Sequence, residues 1–152
     1  MSIRMKLEGF EKLLFDIQRA GGNVERISKE CITNSASIMQ AELKEQMRKS
    51  GVDDGLINAM PPPKIEANYG KVTARVGYKK GVYDPRNLSD GYKIVFLNYG
   101  TPYRKKHGKI LDRSDGGKIR LGFIKRAKSS AGKKIRVQQE KALQEALKGL
   151  QQ

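Results

Sequence analysis

Apolar residues fall at helical spacing near the start of the chain: Leu7, Phe10, Leu13, Leu14 and Ile17 recur at steps of three and four with charges between them, the pattern of a short amphipathic helix. Gly21-Gly22 ends it. Asn23 can cap a second helix, in which Val24, Ile27, Cys31, Ile32, Ala36, Ile38, Met39, Leu43 and Met47 form a broad apolar band reaching about Lys49. At about 1.5 Å per residue this helix is roughly 39 Å long, more than a small sheet covers, so part of it is expected to face another subunit. Residues 50–63 read as a loop, because Gly51, Gly55 and Pro61-Pro62-Pro63 forbid continued helix.

Beyond the prolines the period changes. Residues 65–67 and 72–78 flank Asn68-Tyr69-Gly70, and Val72, Ala74, Val76 and Tyr78 alternate with Lys71, Thr73, Arg75 and Gly77, which predicts a β-hairpin with one wet face. Residues 79–91 show little periodicity. The run Ile94-Val95-Phe96-Leu97 within 92–99 is dense in β-favouring residues and predicts a central strand. Gly100-Thr101-Pro102 stops it, and the glycine- and lysine-rich stretch 103–122 reads as a mobile loop. A final helix is expected from near Phe123, with Ala131-Gly132 as a point of interruption, continuing through Ile135, Ala142, Leu143, Ala146, Leu147 and Leu150. The expected fold is α+β in a single domain, 1–152. It has two N-terminal helices, the second long, then a small, mostly antiparallel sheet, a basic loop at 101–122 and a C-terminal helix packing on the sheet.

Charge changes this picture from fold to partner. The 152 residues carry a net charge of +15, yet residues 1–60 balance nine Lys or Arg against nine Asp or Glu, so the excess lies wholly in the second half. Between 101 and 136 there are thirteen basic residues, with Asp112 and Asp115 the only acids. Such a segment repels itself and calls for an anionic partner. Cys31 is the only cysteine, so no internal disulfide forms. No apolar run suits a signal peptide or a membrane span, and a soluble, cytoplasm-made protein is expected.

Candidate chemistry is sparse. His107 is the single histidine and stands among Arg104, Lys105, Lys106 and Lys109, which disfavours a metal or a second proton there. Cys31 sits within an apolar band and reads as a small core residue rather than a nucleophile. Asp53-Asp54 and Asp112 with Asp115 read as turn and loop residues, since two-metal hydrolysis needs more converging carboxylates. Gly116-Gly117-Lys118 lacks the spacing and the following hydroxyl of a phosphate loop. No catalytic residue, cofactor or metal is expected.

Three stretches carry a resemblance: Leu7-Glu8-Gly9-Phe10-Glu11-Lys12-Leu13-Leu14; Ala74-Arg75-Val76-Gly77-Tyr78 with Ile94-Val95-Phe96-Leu97-Asn98-Tyr99-Gly100-Thr101; and Gly122-Phe123-Ile124-Lys125-Arg126-Ala127. Together they resemble the head-tail joining and tail-completion proteins of long-tailed double-stranded DNA phages. Those proteins open with a glycine-led amphipathic helix, end a strand on an aromatic, glycine and threonine, and start the last helix at a phenylalanine. The chain departs from that pattern at Asn98, where the family places an acid, at Gly122 and Arg126, where it places prolines, and in the linker 50–55. The resemblance implies a non-enzymatic virion protein of the neck. It would form a homo-oligomeric ring between portal or connector proteins and the tail tube or tail terminator, assembled in the bacterial cytoplasm from subunits that stay monomeric until their template exists.

A ring needs two complementary patches per subunit, and the long helix with a strand edge would supply them. Phe96, Asn98, Tyr99, Gly100, Thr101 and Phe123 are the expected interface residues. The basic contacts are expected from Arg104, Lys105, Lys106, Lys109, Arg113, Lys118, Arg120, Lys125 and Arg126. The competing expectation is a free nucleic-acid-binding protein that uses 104–136 to neutralise phosphates.

Overall fold

The computed structural model describes residues 2–79, 89–99, 104–106, 109–111 and 121–152. In chain order its elements are β1 (Ser2–Lys6), α1 (Glu11–Arg19), α2 (Val24–Lys49), α3 (Asp54–Asn58), β2 (Lys64–Asn68), β3 (Lys71–Gly77), α4 (Asp90–Tyr99), β4 (Arg104–Lys106), β5 (Lys109–Leu111) and α5 (Phe123–Gln151). The class is α+β, as expected. A three-stranded antiparallel sheet of order β1-β3-β2 lies against α2, and α5 packs beside it.

The alternation read in 72–78 survives intact. Val72, Ala74 and Val76 point inward with Ile3 and Met5 of β1, while Lys71, Arg75 and Arg4 stay exposed. Tyr69 and Gly70 turn the hairpin with φ of 50° and 75°, and two successive positive values give the right-handed ribbon its tight reversal. β1 was not foreseen. Its five residues hold only two apolar side chains, too few for a periodic signal, and only pairing with β3 makes it a strand.

α2 begins on Asn23, whose side chain accepts from the Arg26 amide at 3.0 Å. It is buried along most of its length, from Ile27 to Met47. From Ile32 onward it packs in the core with the sheet through Ile32, Ala36, Met39, Leu43 and Met47; before that it packs through Ile27 and Cys31 on Phe10, Ile17 and Leu143 of a second cluster. The part of this buried face that the sheet does not reach is covered by α1 and α5 of the same chain. α5 runs antiparallel to α2, pairing Arg126 with Gln46 and Gln139 with Ser35. Phe123, Ile124, Ala127, Ala131 and Ile135 join α5 to the core that the sheet residues close. It is unbroken at Gly132, because Ala131 on its buried side keeps the packed stripe continuous.

Two further expectations are corrected. Residues 50–63 contain α3, capped by Asp53 accepting from the Leu56 amide at 3.3 Å, before the prolines end it. The run 92–99 is helix α4, not a central strand; β3 holds the central place. The reason lies in burial. A central strand buries both faces, whereas here Gly91, Ile94 and Asn98 are buried at steps of three and four, and Val95, Phe96 and Leu97 are only half-buried. One-sided burial at helical spacing outweighs the β-propensity of Ile94-Val95.

Candidate functional site at the junction of α4 and α5

The C-terminal end of α4 is bound to the start of α5 by three hydrogen bonds. The Leu121 amide donates to the Leu97 carbonyl at 3.2 Å and the Gly122 amide to the Asn98 carbonyl at 3.0 Å. The side chain of Asn98, only 2% exposed, accepts from the Ile124 amide at 3.0 Å. That bond satisfies one of the first-turn amides of α5, which have no partner within the helix. The described residues on either side of 100–120 are thus held side by side.

Arg126 tightens this junction. Its guanidinium donates to the Gln46 side chain at 3.4 Å and makes closer bonds to the Leu121 carbonyl and the Ser50 hydroxyl. It clasps the start of α5 to the C-terminal end of α2 while remaining exposed. Lys125 beside it is exposed on α5.

The expected interface residues divide accordingly. Phe123 is completely buried and Asn98 nearly so; both are corrected from contact residues to core and capping residues, because the helix start they serve is inside the molecule. Phe96 is half-buried and stacks tilted on Tyr92 at 6.2 Å, and Tyr99 is 48% exposed at the end of α4. Gly100 and Thr101 lie outside the described residues. Among the expected basic contacts, Arg104, Lys105 and Lys106 form β4 and Lys109 opens β5, a two-stranded antiparallel hairpin within the stretch read as loop. Arg113, Lys118 and Arg120 lie outside the described residues, as do His107, Asp112, Asp115 and Gly116-Gly117-Lys118, and with them most of the expected mobile loop at 101–122.

Elsewhere the chemistry is that of a packed fold. Burial pushes the Cys31 thiol up to about 11. Ser35, fully buried between α2 and α5, accepts from the Gln139 amide at 3.1 Å and donates to the Cys31 carbonyl at 2.9 Å. Burial, aided by nearby Asp90, raises the Tyr78 hydroxyl to about 12, and that hydroxyl donates to the Leu56 carbonyl. Among the described residues no three His, Cys, Asp or Glu side chains are grouped so as to hold a metal, and no helix is long and apolar enough to cross a membrane.

One basic surface escaped the reading of charge along the chain. Arg4, Lys6, Lys64, Lys71 and Arg75 are drawn from β1, β2 and β3 onto the outer face of the sheet. Arg4 and Lys6 fall in the half whose charges balance, and only strand pairing gathers them with the others. The alternation of Lys71 and Arg75 with apolar residues was the one visible signal.

The described parts define a small α+β protein in which the residues flanking the basic stretch, at 97–98 and 121–122, are hydrogen-bonded to each other. No family model matches the chain, and no curated protein and no solved structure matches it.

Proposed function

We propose that this chain is a structural virion protein that joins head to tail, as one subunit of a neck or tail-completion ring in a long-tailed double-stranded DNA phage or a prophage-derived tail. Its partners would be portal or connector proteins on one side and tail tube or tail terminator proteins on the other. One observation carries the reading. The three separate stretches that resemble the family converge: Asn98 of the second bonds Ile124 of the third, and Ala74, Val76, Ile94, Phe123 and Ala127 share a core against which Leu7 of the first packs. Residues spread over 120 positions thus act together in one fold, although the stretch that ends a strand in that family ends helix α4 here. The basic stretch anchored at the junction would then order against an acidic ring or the DNA that passes through it, relieving the self-repulsion of many subunits at +15 each.

Deleting the gene from the phage or prophage that encodes it tests this directly. DNA-filled heads and separate tails that fail to join are expected, and purified wild-type particles should contain the chain in ring stoichiometry. Normal particles from the deletion would overturn the reading.

A second reading, a free nucleic-acid-binding protein, is favoured by one feature: Lys125, Lys128, Lys133, Lys134 and Arg136 are all exposed on the first half of α5 with no acid between them. Tight duplex binding by the monomer near physiological salt would promote it.

A further inference from the structure

Strand register places Arg4 opposite Arg75, and Lys64 opposite Arg75 on its other side, so three cations stand in one row across β1, β3 and β2. Strands about 4.8 Å apart make that row roughly 10 Å wide. The adjoining row is Lys6, Thr73 and Glu66, and Lys71 faces Asn68 beyond it. Like charges directly opposite one another destabilise a sheet. Glu66 offsets this only in part: its carboxylate reaches Lys64 at 2.9 Å and Arg75 at 3.8 Å, and a hydrogen bond from Lys64, then the charges of Lys64, Arg75 and Arg4, hold it below the usual carboxylate range. Lys6 pairs with Glu8 past the end of the strand. Among the described residues, Lys64 and Arg75 of this row share the carboxylate of Glu66.

We propose that this outer face is a docking surface for the phosphate backbone of duplex nucleic acid. The composition of the face selects that partner over an acidic protein. The outward positions of the three strands are Ser2, Arg4, Lys6, Lys64, Glu66, Asn68, Lys71, Thr73, Arg75 and Gly77, with no apolar side chain among them. Protein interfaces bury an apolar and aromatic centre from which lysine is depleted, whereas phosphate and sugar contacts are made by Arg, Lys, Ser, Thr and Asn. The outward strand positions hold no aromatic side chain, and the exposed Tyr69 stands only at the hairpin tip, so the face offers charge rather than a row of rings on which unpaired bases stack, which favours duplex over single strands. The face is built from residues 2–77, none of them in the segment 104–136, and the assignment does not rest on the virion reading.

The test uses the full chain and a labelled duplex, with affinity followed from low to near-physiological salt. Replacing the row, Arg4→Gln with Lys64→Gln and Arg75→Gln, should flatten the slope of log affinity against log salt by about 2.7, roughly 0.9 for each lost phosphate contact. A control that removes the same charge elsewhere, Lys12→Gln with Lys29→Gln and Lys148→Gln, should change the slope by less than about one contact's worth. Equal slopes for the two variants would overturn the proposal. So would weaker binding of poly-glutamate by the row variant with duplex binding unchanged, which would assign the face to an acidic protein. Lysine acetylation of the unaltered protein gives an independent readout. Duplex should protect Lys6, Lys64 and Lys71, and protection confined to α5 and β4 would equally overturn it.

Discussion

Asn98 shows how one side chain decides what a longer segment can do. Its oxygen accepts the Ile124 amide from a buried position, and its own carbonyl takes the Gly122 amide. Asn98→Ala leaves a buried amide unpaired and should cost about 1–3 kcal/mol, with faster protease cleavage inside 100–120. Asn98→Asp keeps the acceptor and places a negative charge at a helix N-terminus, so at neutral pH it should lose much less. Thermal melts of both variants check the pair. Two other residues set a response to base. The folded state raises Cys31 from 9.0 to about 11 and Tyr78 from 10.0 to about 12. The native state therefore holds these protons more tightly than the unfolded chain. The stability they confer is fully present below pH 9, where neither group has ionised in the unfolded chain, and should fall as pH rises from 9 to 12. Melts across that window should show the decline, and a double variant, Cys31→Ala with Tyr78→Phe, should flatten it.

At the scale of elements, the fold depends on how closely its helices approach. Gly22, in the turn between α1 and α2, is where the end of α5 lies. A Cβ there would come within 2.5 Å of the Leu150 Cδ1, 2.7 Å of the Ile17 Cγ2 and 3.0 Å of the Ile17 carbonyl oxygen. Leu150 can swing away, but Ile17 is completely buried and the carbonyl is backbone. Gly22→Ala should therefore destabilise by about 1–3 kcal/mol and raise hydrogen exchange in the last turns of α5. The contact of Arg136 over the Phe10 ring, at 5.7 Å, joins α1 and α5 further along the same seam. Were exchange in α5 unchanged by the substitution, the seam would not be what orders its C-terminal end.

For the molecule as a whole, the junction bonds the residues on either side of 101–120 directly to each other. Residues 101–120 can be replaced by a linker of about four residues, because the backbones at 97–98 and 121–122 are already hydrogen-bonded. Shortening the closed loop about five-fold lowers its closure entropy by roughly 1.4 kcal/mol, so the thermal midpoint should hold or rise by about 3–6 °C with helix content retained. Head-tail joining, on the proposed function, should be lost. A midpoint lowered by a similar amount would mean that the segment packs on the core and is no separable arm.

By itself the sequence determined the features set by near neighbours: the periodicity of α1, α2 and α5, the cap at Asn23, the hairpin at β2 and β3, and the concentration of positive charge after residue 100. Those signals are local, so no partner surface is needed to read them. Tertiary structure alone decided the rest. β1 exists because β3 offers it an edge, and α4 is a helix because the core meets one side of it, although Ile94-Val95-Phe96-Leu97 favours a strand. Asn98 and Phe123 became core residues because two distant helix ends meet. Arg4, Lys64 and Arg75 formed one row because antiparallel pairing brings positions 4, 64 and 75 within strand spacing, a neighbourhood that the order of residues along the chain does not contain.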